Sequence, residues 1–261
     1  MNRPASAGTS TLDKEDKMPS KHQTHPPERV ALLDWTARIG AVTAEALAHR
    51  EGTTVASARG KLSAAECARL LTRCRPLAGY PALYTVTPRG LRVSALRGID
   101  PCRVSAANAR HLITCAWVAA ALERSYPDHG VSGERELRRD EREHGAQLAS
   151  ACLGQGPDGP LLHRPDLVLW PSVDGGLPVA VEVELTIKAP QRLAEICRAW
   201  ARCRCVAGVL YLVTPAVGRA LERAIEKAQA GERVVVVPLE AVATTEEAAG
   251  SSIARAVPSG T

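Results

Sequence analysis

From Asp166 to Leu239 short apolar runs and amphipathic stretches take turns, and this alternation constrains the fold more than any other feature of the chain. "DLVLW" reads as a strand, "SVDGG" as a turn and "PVAVEVEL" as a second strand. "PQRLAEICRAWARC" follows as a helix with Pro190 in its first turn, then "AGVLYLV" as a wholly apolar strand. "AVGRALERAIEKAQAG" is an amphipathic helix ending at a glycine, and "ERVVVVPL" is another buried strand. The spacing predicts an α/β layout around a mixed sheet.

Three acids interrupt these strands. Alternation puts Glu182 and Glu184 on one face of "VAVEVEL" and Val181, Val183 and Leu185 on the other. Whether Asp166 joins them depends on the hairpin. A two-residue turn at Asp174 and Gly175 sets Asp166 opposite Val183, whereas a three-residue loop or a bulge sets it opposite Glu184. Three converging carboxylates repel unless a hard cation such as Mg²⁺ binds them, and such a metal polarises phosphate and activates water. The competing expectation is that Glu182 and Glu184 pair with Arg192, Arg198 or Lys188. Lys188 shares the strand face, but four extended residues place it ~13 Å from Glu184 unless the strand bends.

The first hundred residues have a different grammar. Residues 1–27, rich in Ser, Thr, Pro and charge, read as a disordered tail, as do residues 241–261. "ERVALLDWTARIGAVTAEALAHREG" predicts two short helices broken near Gly40. "TTVASARGKLSAAECARLLTRC" predicts a third, capped by Thr53 or Thr54, with Ala64, Cys67, Leu70 and Leu71 as its buried stripe. In "LYTVTPRGLRV" alternation followed by Pro88 and Gly90 predicts a hairpin. A further helix over about 105–124 joins this part to the rest. "SGERELRRDEREHG" reads as a solvated helix face, with Glu134 or Glu136 assisting the acidic site as the other reading.

Charge follows the same division. Residues 28–100 carry 11 basic and 6 acidic groups, while residues 101–261 carry 18 and 19, so the excess of +5 resides near the N-terminal helices. That is a candidate electrostatic footprint for phosphate, with exposed arginines of an ordinary helical domain as the other reading. The eight cysteines form no CxxC pair and read as reduced, mostly buried thiols, with metal or redox use of the "CRC" of Cys203 and Cys205 as the lesser alternative. The longest apolar window, "ITCAWVAAAL", falls short of the ~20 residues needed to span a bilayer, and no secretory signal is visible. A soluble, cytoplasmic protein is expected. Paired carboxylates also serve glycosidases, but aromatic residues make up only 3% of the chain, which argues against a sugar site.

Three helices and a hairpin resemble the winged helix-turn-helix plan. That resemblance implies duplex DNA as partner, with Arg59, Lys61 and Arg69 contacting it from the third helix and Arg75, Arg89 and Arg92 from the wing. A protein docking module is the alternative use of that plan. "RPDLVL" followed by "VAVEVELTIK" resembles the PD-(D/E)XK nuclease core. This implies Asp166 and Glu182 as metal-binding acids, with Glu184 where the common motif has lysine, and Lys188, on the same strand face, as the candidate catalytic lysine. Over residues 28–240 the order of these patterns resembles the replication-relaxation family of plasmids and integrative elements. The expectation is a winged helix over 28–98 and a restriction-endonuclease-like domain over 105–240, α+β overall. It would act on DNA with Mg²⁺, or serve without catalysis as a replication or transcription accessory whose second domain is a binding or homodimerising surface.

Overall fold

A computed structural model describes residues 25–173 and 175–244, so most of the two expected tails and Asp174 of the expected turn lie outside the described residues. The chain opens with α1 (Pro27–Ile39), α2 (Ala44–Glu51) and α3 (Val55–Cys67), then an antiparallel hairpin of β1 (Leu71–Cys74) and β2 (Leu83–Val86). Thr43 and Thr54 cap α2 and α3 through their hydroxyls, accepting from the amides of Ala46 and Ser57.

The hairpin corrects the expectation for this segment. Strand β2 pairs backwards with Leu71–Cys74, while "PRGLRV" forms helix α4 (Pro88–Val93), capped by the Thr87 hydroxyl. Pro88 serves the first turn of that helix instead of a hairpin turn. Gly90 is required there, since a Cβ would lie 2.2 Å from the Leu70 carbonyl oxygen. The buried stripe of α3 is Ala58, Leu62 and Ala65; Ala64 and Cys67 are exposed, and Leu70 and Leu71 are buried just beyond the helix. Of the expected stripe Leu70 and Leu71 are buried and Ala64 and Cys67 are not, because the helix ends at Cys67.

Helix α5 (Ala109–Ser125) joins the two halves and buries Cys115, Ala116, Val118, Ala119 and Leu122. Next come β3 (Gly130–Gly133), α6 (Glu134–His144) and a second hairpin, β4 (Ala151–Gly156) with β5 (Gly159–His163). The remaining elements are β6 (Leu167–Trp170), β7 (Val179–Glu184), α7 (Pro190–Arg202), β8 (Gly208–Val213), α8 (Pro215–Ala228), β9 (Val234–Pro238) and α9 (Leu239–Thr244).

The sheet has the order β3-β6-β7-β8-β9. Strands β3, β6 and β7 run antiparallel and β7, β8 and β9 parallel, so the mixed α/β sheet expected from the sequence is present. Every residue of β7 and β8 is buried, because helices cover both faces. On one face Val179, Val181 and Val183 join a cluster that runs on into α1, α2 and α5. On the other, Ala180, Val209 and Tyr211 pack under Leu193, Trp200 and Leu221 of α7 and α8. One continuous core therefore binds the N-terminal helices to the sheet. Among the described residues no helix is long and apolar enough to cross a membrane.

Candidate functional site

The acids gather where β6 begins and β7 ends. Strand pairing sets Leu167 opposite Val181 and Val168 opposite Ala180, which puts Asp166, one step on, level with Glu182. This differs from both turn options: the connection over 171–178 is longer than either, and the paired register ends at Leu167 opposite Val181, leaving Asp166 just before the strand. Asp166 is held from three sides. Its Oδ2 accepts from the Val183 amide at 2.8 Å, its Oδ1 from His111 Nε2 at 2.9 Å, and its backbone carbonyl from the Glu134 amide at 3.0 Å.

Each acid has a cationic or ionisable partner of its own. Asp166 pairs with His111, Glu182 Oε1 with His163 Nε2 at 2.7 Å, and Glu184 with Lys188. Of the expected partners only Lys188 takes part; Arg192 pairs with Glu195. Lys188 reaches back because β7 ends at Glu184 and the chain bends before α7, so the extended ~13 Å separation does not apply. Glu182 and Glu184 are 5% and 6% exposed, so these pairs are what make buried carboxylates tolerable.

The electrostatics tie the group together. Burial raises the Glu182 carboxyl above its usual range, opposed by His163 and Lys188 and reinforced by Asp166. Burial lowers the Lys188 ammonium, while Glu182 and Asp166 pull it back up. The hydrogen bond to Asp166 raises His111. Asp166, Glu182 and Lys188 thus feel one another directly, and Glu184 is joined to them through Lys188.

This end of the sheet opens into a cleft of about 730 Å³ lined by Asp166, His111, Cys115 and Glu134, and by Arg103, Arg135, Arg138, Arg139 and Arg142. Four of those arginines come from α6. That helix is more than a solvated face: Leu137, Glu136 and Glu141 are buried, with Glu136 ion-paired to Arg38 at 2.9 Å and Glu141 accepting a hydrogen bond from Arg164 at 2.9 Å. Its arginines line the cleft with partners of their own: Arg138 pairs with Glu134 and Arg139 with Asp140, while Arg135 and Arg142 donate to the carbonyls of Asp100 and Gly98.

The expected nucleic-acid contacts lie elsewhere. Arg59 and Lys61 are exposed on α3, Lys61 bonded to Glu51 at 2.8 Å; Arg75 is exposed in the β1–β2 loop; Arg92 is exposed on α4. Arg69 and Arg89 meet Arg29 around a concavity of about 550 Å³. The "CRC" sulfurs of Cys203 and Cys205 stand 3.2 Å apart, and the bond from Cys205 draws Cys203 down to about 7. All eight cysteines are free; Cys115, Cys197 and Cys203 are buried and Cys67 is exposed.

Sequence reasoning missed two residues of the site, His163 and His111. "GPDGP" at 156–160 is a turn signal that would have revealed the β4–β5 hairpin delivering His163. His111 and Cys115 stand four apart on a helix whose existence was expected, so their shared face was readable. No protein-family model, no curated protein and no solved structure matches this chain.

Proposed function

We propose that this is a DNA-binding protein whose sheet carries a phosphodiester-cleaving site at Asp166, Glu182 and Lys188. The observation that carries the reading is the return of Lys188 to Glu184, where it also feels the charges of Glu182 and Asp166, while Asp166 lines the arginine-rich cleft. Lys188 supplies the basic group whose place in the strand is taken by Glu184.

In this reading the arginines of α6 and Arg103 attract the phosphate backbone, and Lys188 counters charge that develops on the reacting phosphate. Asp166, oriented by Val183 and His111, and Glu182, oriented by His163, would hold a Mg²⁺ ion. Bound there, the ion would polarise the phosphate and lower the pKa of a water. Glu184 positions Lys188. Helices α1–α3 with the β1–β2 hairpin act as a winged helix, α3 entering the major groove through Arg59 and Lys61 and the Arg75 loop resting on the backbone. The resemblance to replication-relaxation proteins supports a mobile-element setting.

A second reading has its own support: each acid already has a protein partner, which suits an accessory protein whose sheet is a binding surface. Nicking of supercoiled plasmid in Mg²⁺ or Mn²⁺ separates the two. Cleavage that disappears in Asp166→Asn while duplex affinity is kept supports the nuclease; wild-type protein that binds duplex and never nicks supports the accessory.

A further inference from the structure

Among the described residues, His111, Cys115 and Asp166 form a group whose potential ligand atoms all lie within 4.8 Å of one another. His111 and Cys115 project from one face of α5, a helical turn apart, and Asp166 reaches them from the start of β6. Nε2 of His111 lies 2.9 Å from Asp166 Oδ1 and 3.4 Å from Cys115 Sγ. Around a tetrahedral ion with ordinary Zn–N, Zn–O and Zn–S bonds, neighbouring ligand atoms stand about 3.3–3.6 Å apart. The two separations that His111 makes differ from these by only a few tenths of an ångström, and Asp166 and Cys115 stand within 4.8 Å of each other, so the trio can close on an ion by side-chain movement.

We propose that His111, Cys115 and Asp166 bind a zinc-like transition metal, with a fourth coordination position open to the arginine-lined cleft. All three residues line that cleft, which gives both an entry path and room for an exogenous ligand. Three protein ligands and one open position is the pattern of catalytic zinc sites, whereas structural sites are closed by four. The donor set is decisive for metal type: thiolate with imidazole selects zinc or cobalt over Mg²⁺, which demands oxygen. Outer contacts are also in place, since the Val183 amide fixes the second oxygen of Asp166.

Binding converts the Cys115 thiol to thiolate and releases its proton. His111, which donates Nε2–H to Asp166, must free that nitrogen: the imidazolium releases its proton to solvent, and the neutral ring moves it to Nδ1. One or two protons therefore leave per ion. The inference shares Asp166 with the nuclease reading, and its test needs no DNA.

Co²⁺ titration followed by absorption gives the answer. The expected result is one equivalent bound, a near-ultraviolet sulfur-to-cobalt band, and displacement by Zn²⁺ but not by excess Mg²⁺. The band should vanish in Cys115→Ser, persist when Cys203 and Cys205 are both changed to serine, and affinity should fall by about 100-fold or more in His111→Ala. The half-exposed His111 ring keeps the test valid should the buried Cys115 variant misfold, as judged by circular dichroism. No cobalt binding, binding without the sulfur band, a band that survives Cys115→Ser, or affinity unchanged in His111→Ala would overturn the proposal. Cobalt bound through sulfur in a protein that never nicks DNA would sink the nuclease reading alone; nicking without that band would sink this one alone.

Discussion

Replacing His163 by alanine tests how the sheet tolerates its buried acids. Glu182 is 7% exposed at the side chain and His163 18%, with 2.7 Å between the bonded atoms. A charge-assisted hydrogen bond contributes about 1.5–3 kcal/mol, and breaking a buried pair by removing one member costs about 3–5 kcal/mol. The His163 ring also meets Trp200 edge-on, with centroids 5.8 Å apart, a contact worth about 0.5–1.5 kcal/mol. His163→Ala alone should therefore cost about 3–5 kcal/mol. In a Glu182→Gln background the Trp200 contact is still lost, but no charge is stranded, so the same change should cost about 2 kcal/mol less. Urea unfolding of the four proteins of this double-mutant cycle at neutral pH measures the difference. Additivity within about 0.5 kcal/mol would refute the reasoning, because it would mean that His163 does not hold Glu182.

Three further outcomes are expected. Gly133→Ala should destabilise by more than about 2 kcal/mol in the same assay, since its Cβ would stand 2.4 Å from the Arg38 carbonyl oxygen where α1 meets the sheet. Burial raises Glu136 above the carboxylate range despite Arg38 and Arg139, so the folded protein binds more protons there and stability from this group falls as pH rises from 4.5 through the raised value. Glu136→Gln should accordingly gain ground on wild type over that window in urea midpoints; a gap that widens with pH would show the ion pair outweighing burial. Arg59→Ala with Lys61→Ala should weaken duplex binding and lower the salt slope by up to about 1.8, less in so far as Glu51 already neutralises Lys61, as read from fluorescence anisotropy at several ionic strengths.

What could be read from the sequence follows where local pattern sufficed. The apolar runs of β7, β8 and β9 and the amphipathic repeats of α7 and α8 are written in periodicity, and their places agree with the structure. Strand β3 has only Val131 as an apolar residue and owes its existence to pairing with β6, so no local signal marks it. The β1–β2 hairpin was misread because Pro88 and Gly90 look like a turn, while the true partner of β2 lies upstream across the loop at 75–82. At the site the acids and the partner Lys188 were legible, and the two histidines were not. His111 and His163 come from separate elements, and only tertiary packing brings them to Asp166 and Glu182. Lys188 was named as a partner on the condition that the strand bends, and the chain does bend there.

Single-turnover cleavage of a labelled duplex, at saturating protein and with Mg²⁺ or Mn²⁺ present, bears most directly on the proposed activity. Wild type should cut, and Lys188→Met should cut about 100-fold more slowly or worse with unchanged duplex affinity, as expected for a group acting on charge in the transition state. Equal rates in the two proteins, or a wild-type protein that binds and does not cut, would contradict the account.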